Sequence, residues 1–131
     1  MRFLADTDVL IDAFGGVPSV VRTLDELANQ GVGISIVSYG ELFEGAFGSP
    51  EPERVLDEYR QFLATFPLLP LTDATMVMFA RIRRELRQKG LLIPDFDLLI
   101  GATAVQHDLT LVTGNQRHFA RIHGLILYQP S

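Results

Sequence analysis

Five short apolar runs dominate what this chain can fold into. They are Arg2–Ala5, Gly33–Val37, Leu68–Leu71, Leu109–Val112 and a weaker one at Leu125–Tyr128. Each has the length of a strand rather than a helix, and the β-branched run at Gly33–Val37 reads as a strand buried on both faces. Between them lie stretches of helical periodicity: residues 8–14, 18–30, a segment opened by Ser38, 51–66, 73–89 and 95–107. The punctuation agrees with this division. Gly15-Gly16, Gly31 and Gly90 stop helices, Pro18 opens one, and Thr72 or Asp73 caps the long one. Ser38 with Glu41 three residues on has the capping-box pattern. Strands alternating with helices predict βαβ units, hence a three-layer α/β/α architecture around a mostly parallel sheet of four to five strands. The 131 residues suit one domain, and no repeat or linker divides them.

Composition narrows the chemistry. The chain has no cysteine, which excludes disulfides, thiolate metal sites and a cysteine nucleophile, and fits a reducing compartment such as the cytoplasm. No apolar run approaches the roughly 18 residues of a membrane-spanning helix. The net charge of −5 speaks, as a total, against nucleic acid. Its distribution does not. Residues 1–65 carry −7, whereas residues 66–131 carry +2, with Arg81, Arg83, Arg84, Arg87, Lys89, Arg117 and Arg121 supplying the basic excess. Partners respond to local potential before net charge. Phosphate-binding, dinucleotide and serine-hydrolase motifs are all absent.

The acidic residues fall where an α/β sheet binds ligands, outside the carboxyl ends of its strands. Asp6 ends the first strand, Glu41 lies one helical turn beyond the second, and Asn115 lies just past the fourth. Taken singly, Asp6 could form a turn and Glu41 could be only the capping partner of Ser38. Asp97 is harder to explain that way. It is surrounded by Phe96, Leu98, Leu99, Ile100, Ala102, Ala104 and Val105, on a helix apolar almost all round. A carboxylate buried there costs several kcal/mol or protonates unless something positive meets it. Converging oxygen ligands without cysteine suit a hard cation, magnesium or manganese (Mg²⁺ or Mn²⁺). His107, His118 and His123 are poorly spaced for zinc.

Four segments then carry a resemblance. Leu4-Ala5-Asp6-Thr7-Asp8-Val9-Leu10-Ile11-Asp12 resembles the opening motif of PIN-domain ribonucleases of the VapC toxin type. Ile34 to Gly45, with Glu41, is similar to their second motif, Asp97 to Ala104 to the third, and Leu111 to Phe119 to the fourth. The resemblance spans essentially the whole chain, in order. It implies a divalent-metal endoribonuclease that hydrolyses RNA phosphodiester bonds, forms a homodimer and is blocked by a cognate VapB-type antitoxin. Carried over, the metal ligands are Asp6, Glu41 and Asp97, with Asn115 at a fourth catalytic position that is often aspartate in the family. Asp8 stands where many relatives have asparagine, and Asp95 competes with Asp97. Two residues apart on a helix, they point about 200° from each other, so only one faces the site. Position in the third motif favours Asp97. Ser38 and Thr113 are candidates to fix the carboxylates by hydrogen bonds, and Arg117 and Arg121 to grip flanking phosphates. Two rivals are set against this: a catalytically inactive PIN domain serving as a scaffold, and a small phosphatase with a lysine beside a nucleophilic aspartate.

Overall fold

The computed structural model describes residues 1–130. At its centre is β1 (Phe3–Ala5), which pairs in parallel with β2 (Val32–Ser35) on one side and β4 (Thr110–Val112) on the other. β3 (Leu68–Leu69) extends the sheet beyond β2, and β5 (Ile126–Leu127) extends it beyond β4. The order β3-β2-β1-β4-β5 is wholly parallel. The chain builds outward from β1 in one direction and then returns to build in the other. The switch point is therefore the β1–β4 seam, where ligand sites of such sheets form.

Strand pleating sorts the core into two layers. Leu4 and Leu111 face one side, with Ile82 and Leu86 of α5 (Asp73–Lys89) and Leu98, Ile100, Ala102 and Ala104 of α6 (Asp95–Gln106). Phe3, Ala5 and Val112 face the other. There they meet Val9 and Leu10 of α1 (Thr7–Phe14), Leu24 and Leu27 of α2 (Pro18–Leu27), and Leu63 of α4 (Pro52–Leu63). α3 (Ile36–Phe47) serves both cores, giving Val37 to the first and Leu42 to the second. A short helix, α7 (Gln116–Phe119), follows β4. Among the described residues no helix is long and apolar enough to cross a membrane.

Three local expectations change. β2 stops at Ser35, not Val37, because the Ser35 hydroxyl accepts the Val37 N–H at 3.1 Å and starts the helix there. Ser38 is consequently inside the first turn of α3 rather than capping it, and its capping box with Glu41 does not form. Asp95, whose ordinary role at a helix start in sequence is an N-terminal cap, makes no cap bond either; Pro94 holds the N-cap position and Asp95 pairs with Arg83 at 2.9 Å. Thr72, of the two candidates, caps α5, in a box with Thr75. Gly31 is required before β2: its φ is +87°, and a Cβ there would meet the Met1 Cα at 2.8 Å. Gly101 lets α6 lie against Ile122, whose Cδ1 a Cβ would meet at 2.5 Å, a packing role.

Candidate active site

Asp6 leaves β1 at the switch point. Its N–H still donates to the Val112 carbonyl of β4 at 2.9 Å, so the sheet ladder itself places this side chain. The carboxylate is 4% exposed. One oxygen accepts the Thr7 N–H at 2.8 Å, and the other accepts the Thr113 hydroxyl at 2.7 Å. Thr113 in turn accepts the Asn115 N–H at 2.9 Å, which ties the turn after β4 to the end of β1. Burial pushes the Asp6 carboxyl up to about 7, with the neighbouring Asp8 charge adding to the rise; the Thr113 and Thr7 bonds oppose it without cancelling it.

Glu41 is reached through a relay of hydroxyls. Thr7 Oγ1 donates to Glu41 Oε1 at 2.6 Å and lies 2.8 Å from Ser38 Oγ. Thr7 has one proton, and it goes to the carboxylate, so Ser38 donates to Thr7. Partial burial raises the Glu41 carboxyl, and Asp97, Glu44 and Asp8 raise it further by charge repulsion. Asp97 sits in the first turn of α6, its side chain 18% exposed and its Oδ2 3.2 Å from His118 Nδ1. Asp95 points away, 61% exposed, beside Arg83. The helix geometry thus brings Asp97, and not Asp95, to the cleft.

Asp6, Thr7, Asp8, Ile11, Glu41, Asp97 and Asn115 line one cleft of about 220 Å³. A hollow of about 650 Å³ along α2, lined by Gly16, Pro18, Val21, Arg22, Asp25 and Glu26, is larger but gathers no comparable set of like charges. No lysine or arginine lines the carboxylate cleft. Asp8 Oδ1 is buried there without a hydrogen-bond partner among the described residues. Four carboxylates, an amide and a hydroxyl form an all-oxygen donor set, and the orphaned oxygen adds an unmet demand for positive charge. Among the described residues no three carboxylate or imidazole groups are gathered into a ready-made cage.

The remaining expected residues fall at the rim or outside it. Arg117 is exposed on α7. Arg121 lays Nη1 on the Leu91 and Leu92 carbonyls at 3.3 and 3.2 Å, fastening the turn between α5 and α6. Lys89, the chain's one lysine, pairs with Glu85 at 3.0 Å rather than with any cleft residue, so the arrangement a phosphatase needs is not formed. Sequence reasoning missed Thr7 as the hub between Ser38 and Glu41. It weighed His118 only as a zinc ligand, although its place three residues after Asn115 on a helix was a signal that the two side chains meet.

The profile of the PIN domain matches residues 3–125. The chain belongs to the PIN domain family. The five-stranded parallel sheet between helices is the PIN fold. This PIN domain is 34% identical over 129 residues to the Ribonuclease VapC1 of Methanocaldococcus jannaschii, covering 97% of this chain and 87% of that one. It is 33% identical over 125 residues to the tRNA(fMet)-specific endonuclease VapC of Shigella flexneri, covering 95% of each. The crystal structure of VapBC2 from Rickettsia felis bound to a DNA fragment from its promoter matches with a TM-score of 0.91 at 31% identity, over 100% of both chains.

Proposed function

We propose that this PIN domain is a divalent-metal-dependent endoribonuclease, the toxin of a VapBC-type toxin–antitoxin pair. The observation that carries the proposal is the convergence of Asp6, Glu41, Asp97 and Asn115 on one cleft at the β1–β4 switch point. The names of the relatives, ribonuclease and tRNA-specific endonuclease, support the same reaction. Asp6, Glu41 and Asp97 are the residues to hold Mg²⁺ or Mn²⁺. Such an ion supplies an activated water for in-line attack on a phosphodiester and offsets charge on the phosphoryl oxygens. Thr113 and Thr7 hold Asp6, and Thr7, itself held by Ser38, holds Glu41. These bonds keep the carboxylates aimed inward against their mutual repulsion. Asn115 adds an uncharged oxygen donor. Arg117, exposed on α7, grips phosphates flanking the cut, whereas Arg121 is engaged with the α5–α6 turn.

The partner proposed is a VapB-type antitoxin, on the strength of the likeness to VapBC assemblies. Exposed apolar side chains of the α5–α6 unit, Met76, Val77, Leu91, Leu92 and Phe96, offer surface for a second copy. The scaffold alternative draws only on Asn115, since the three carboxylates that carry the chemistry are intact. The deciding experiment incubates the purified protein with RNA and Mg²⁺ or Mn²⁺ and sequences the ends produced. Discrete cuts are expected from the unaltered chain and none from Asp97→Asn. Equal cleavage by both would remove Asp97 from the reaction.

For Arg117→Ala the expected result is weaker RNA binding together with a shallower salt dependence, by about one phosphate contact. Binding titrations at several salt concentrations measure it. An unchanged slope returns Arg117 to ordinary solvated surface.

A further inference from the structure

His118 has no part in the reaction just outlined, yet one of its ring nitrogens stands between two groups that do. Nδ1 lies 2.9 Å from Asn115 Nδ2 and 3.2 Å from Asp97 Oδ2. The next residue, Phe119, is fully buried and anchors α7, while the imidazole keeps 35% exposure at the rim. Asn115 occupies the N-cap of α7, where an asparagine ordinarily turns its carbonyl oxygen onto the helix's own N–H groups. Its side chain makes no such bond. The amide nitrogen turns to His118 instead, which leaves Oδ1 on the opposite branch of the planar carboxamide.

We propose that His118 is a positioning residue for the cation site. It turns the Asn115 carboxamide so that Oδ1, rather than Nδ2, is offered to the cleft. The inference rests on the metal-dependent reading above and extends it to a residue outside the carboxylate set. An amide oxygen is a donor to hard cations; an amide nitrogen is not. Left to itself among four carboxylates, the Asn115 amide turns its NH₂ toward them, because N–H bonds to a carboxylate are charge-assisted. His118 gives that NH₂ an acceptor elsewhere and so keeps the oxygen inward. One Nδ1 carries either a lone pair or a proton; the Asn115 contact takes the lone pair, so in that tautomer Nδ1 makes no hydrogen bond to Asp97. A glutamine at this position has both an acceptor and a donor and can serve the two together.

The test is Mn²⁺ binding by calorimetry on the full chain, with no RNA present. His118→Ala is expected to weaken binding by roughly 10-fold, the lower end for loss of a group that orients metal ligands. His118→Phe, which keeps a ring but no nitrogen, is expected to match it. His118→Gln is expected to restore binding to within about threefold of the unaltered chain, a rescue that a packing role for the ring does not produce. Asp97→Ala serves as the reference for the site itself. Should Asp97→Ala bind Mn²⁺ normally, the metal reading fails and this inference with it. Should Asp97→Ala lose Mn²⁺ while His118→Phe keeps it, or His118→Gln bind as weakly as His118→Phe, the cation site stands and His118 has no positioning role.

Discussion

Asp6→Asn is expected to abolish RNA cleavage and, in the same molecule, to raise the melting temperature of the metal-free protein. Both effects follow from where the β1–β4 pairing puts this carboxylate. It is buried at 4% exposure and next to Asp8, and its carboxyl is raised to about 7. At and above neutral pH the folded chain therefore holds a charge that the unfolded chain would carry at no such cost. Asparagine keeps an oxygen for the Thr7 N–H and removes the charge. The stability gain is on the order of 1–3 kcal/mol at pH 8, an upper range because the amide must also find terms with the Thr113 hydroxyl. Cleavage is expected to fall by roughly 10²–10³-fold or more, since the lost group both binds the cation and fixes its place. Thermal melts and a cleavage assay on one preparation measure the pair. A variant that loses activity and stability together would mean that Asp6 is chiefly structural. A variant that keeps activity would remove it from the cation site.

The second large effect is with pH. The Asp6 carboxyl rises from an ordinary 3.8 to about 7 on folding, so the folded state binds a proton that the unfolded state has released between those values. The stability this proton confers is full below about 4 and is lost as pH rises toward and through 7. The metal-free protein is thus expected to become less stable across that window, and Glu41, raised in the same direction, adds to the slope. Cation binding has the opposite sign. A cation competes with the proton on Asp6, so Mn²⁺ affinity is expected to climb with pH up to about 7, by up to about tenfold per unit for each proton displaced, and then level off. Calorimetry in buffers of different ionisation enthalpy counts the released protons, and melts with and without Mn²⁺ follow the stability. Asp6→Asn should flatten both curves. Affinity that is flat from pH 5.5 to 7.5 in the unaltered chain would show that Asp6 is already ionised and that the cleft does not bind as described.

How much of this was legible before the fold was known differs from residue to residue. The strands were readable because apolar runs of strand length have few other uses: β1 and β4 lie within the expected segments, while β2 overlaps its own, starting one residue earlier and ending two residues sooner. Asp97 was legible as a site residue because a carboxylate on an apolar helix is energetically conspicuous. Helix starts were less so. Ser35 and Ser38 are equally good caps on paper, and Ile36 and Val37 look like strand; the Val37 N–H bonding to Ser35 decides the boundary. The competing Asp95 was set behind Asp97 by motif position alone; the fold adds the physical reason, since Arg83 of α5 draws it outward. Arg121 reads as a phosphate contact in sequence, yet in the fold its Nη1 holds two carbonyls of the α5–α6 turn. Thr7 and His118 carry little signal alone, since their importance lies in partners elsewhere in the chain.

Sequence by itself determined the alternation of strands and helices, the two apolar layers and the identity of the acidic residues. These are local properties, set by periodicity, capping chemistry and the cost of burying charge. Tertiary structure alone decided which of those acids meet and what holds them. The bond from Thr113 to Asp6 joins residues 107 apart, and it exists only because β4 pairs with β1 in the register that sets Ala5 against Val112. The relay from Ser38 through Thr7 to Glu41, and the contact of His118 with Asp97 and Asn115, depend likewise on packing between elements distant in the chain. Hydrogen bonds are directional and short, so their partners are fixed by the relative placement of whole elements, which no local pattern records.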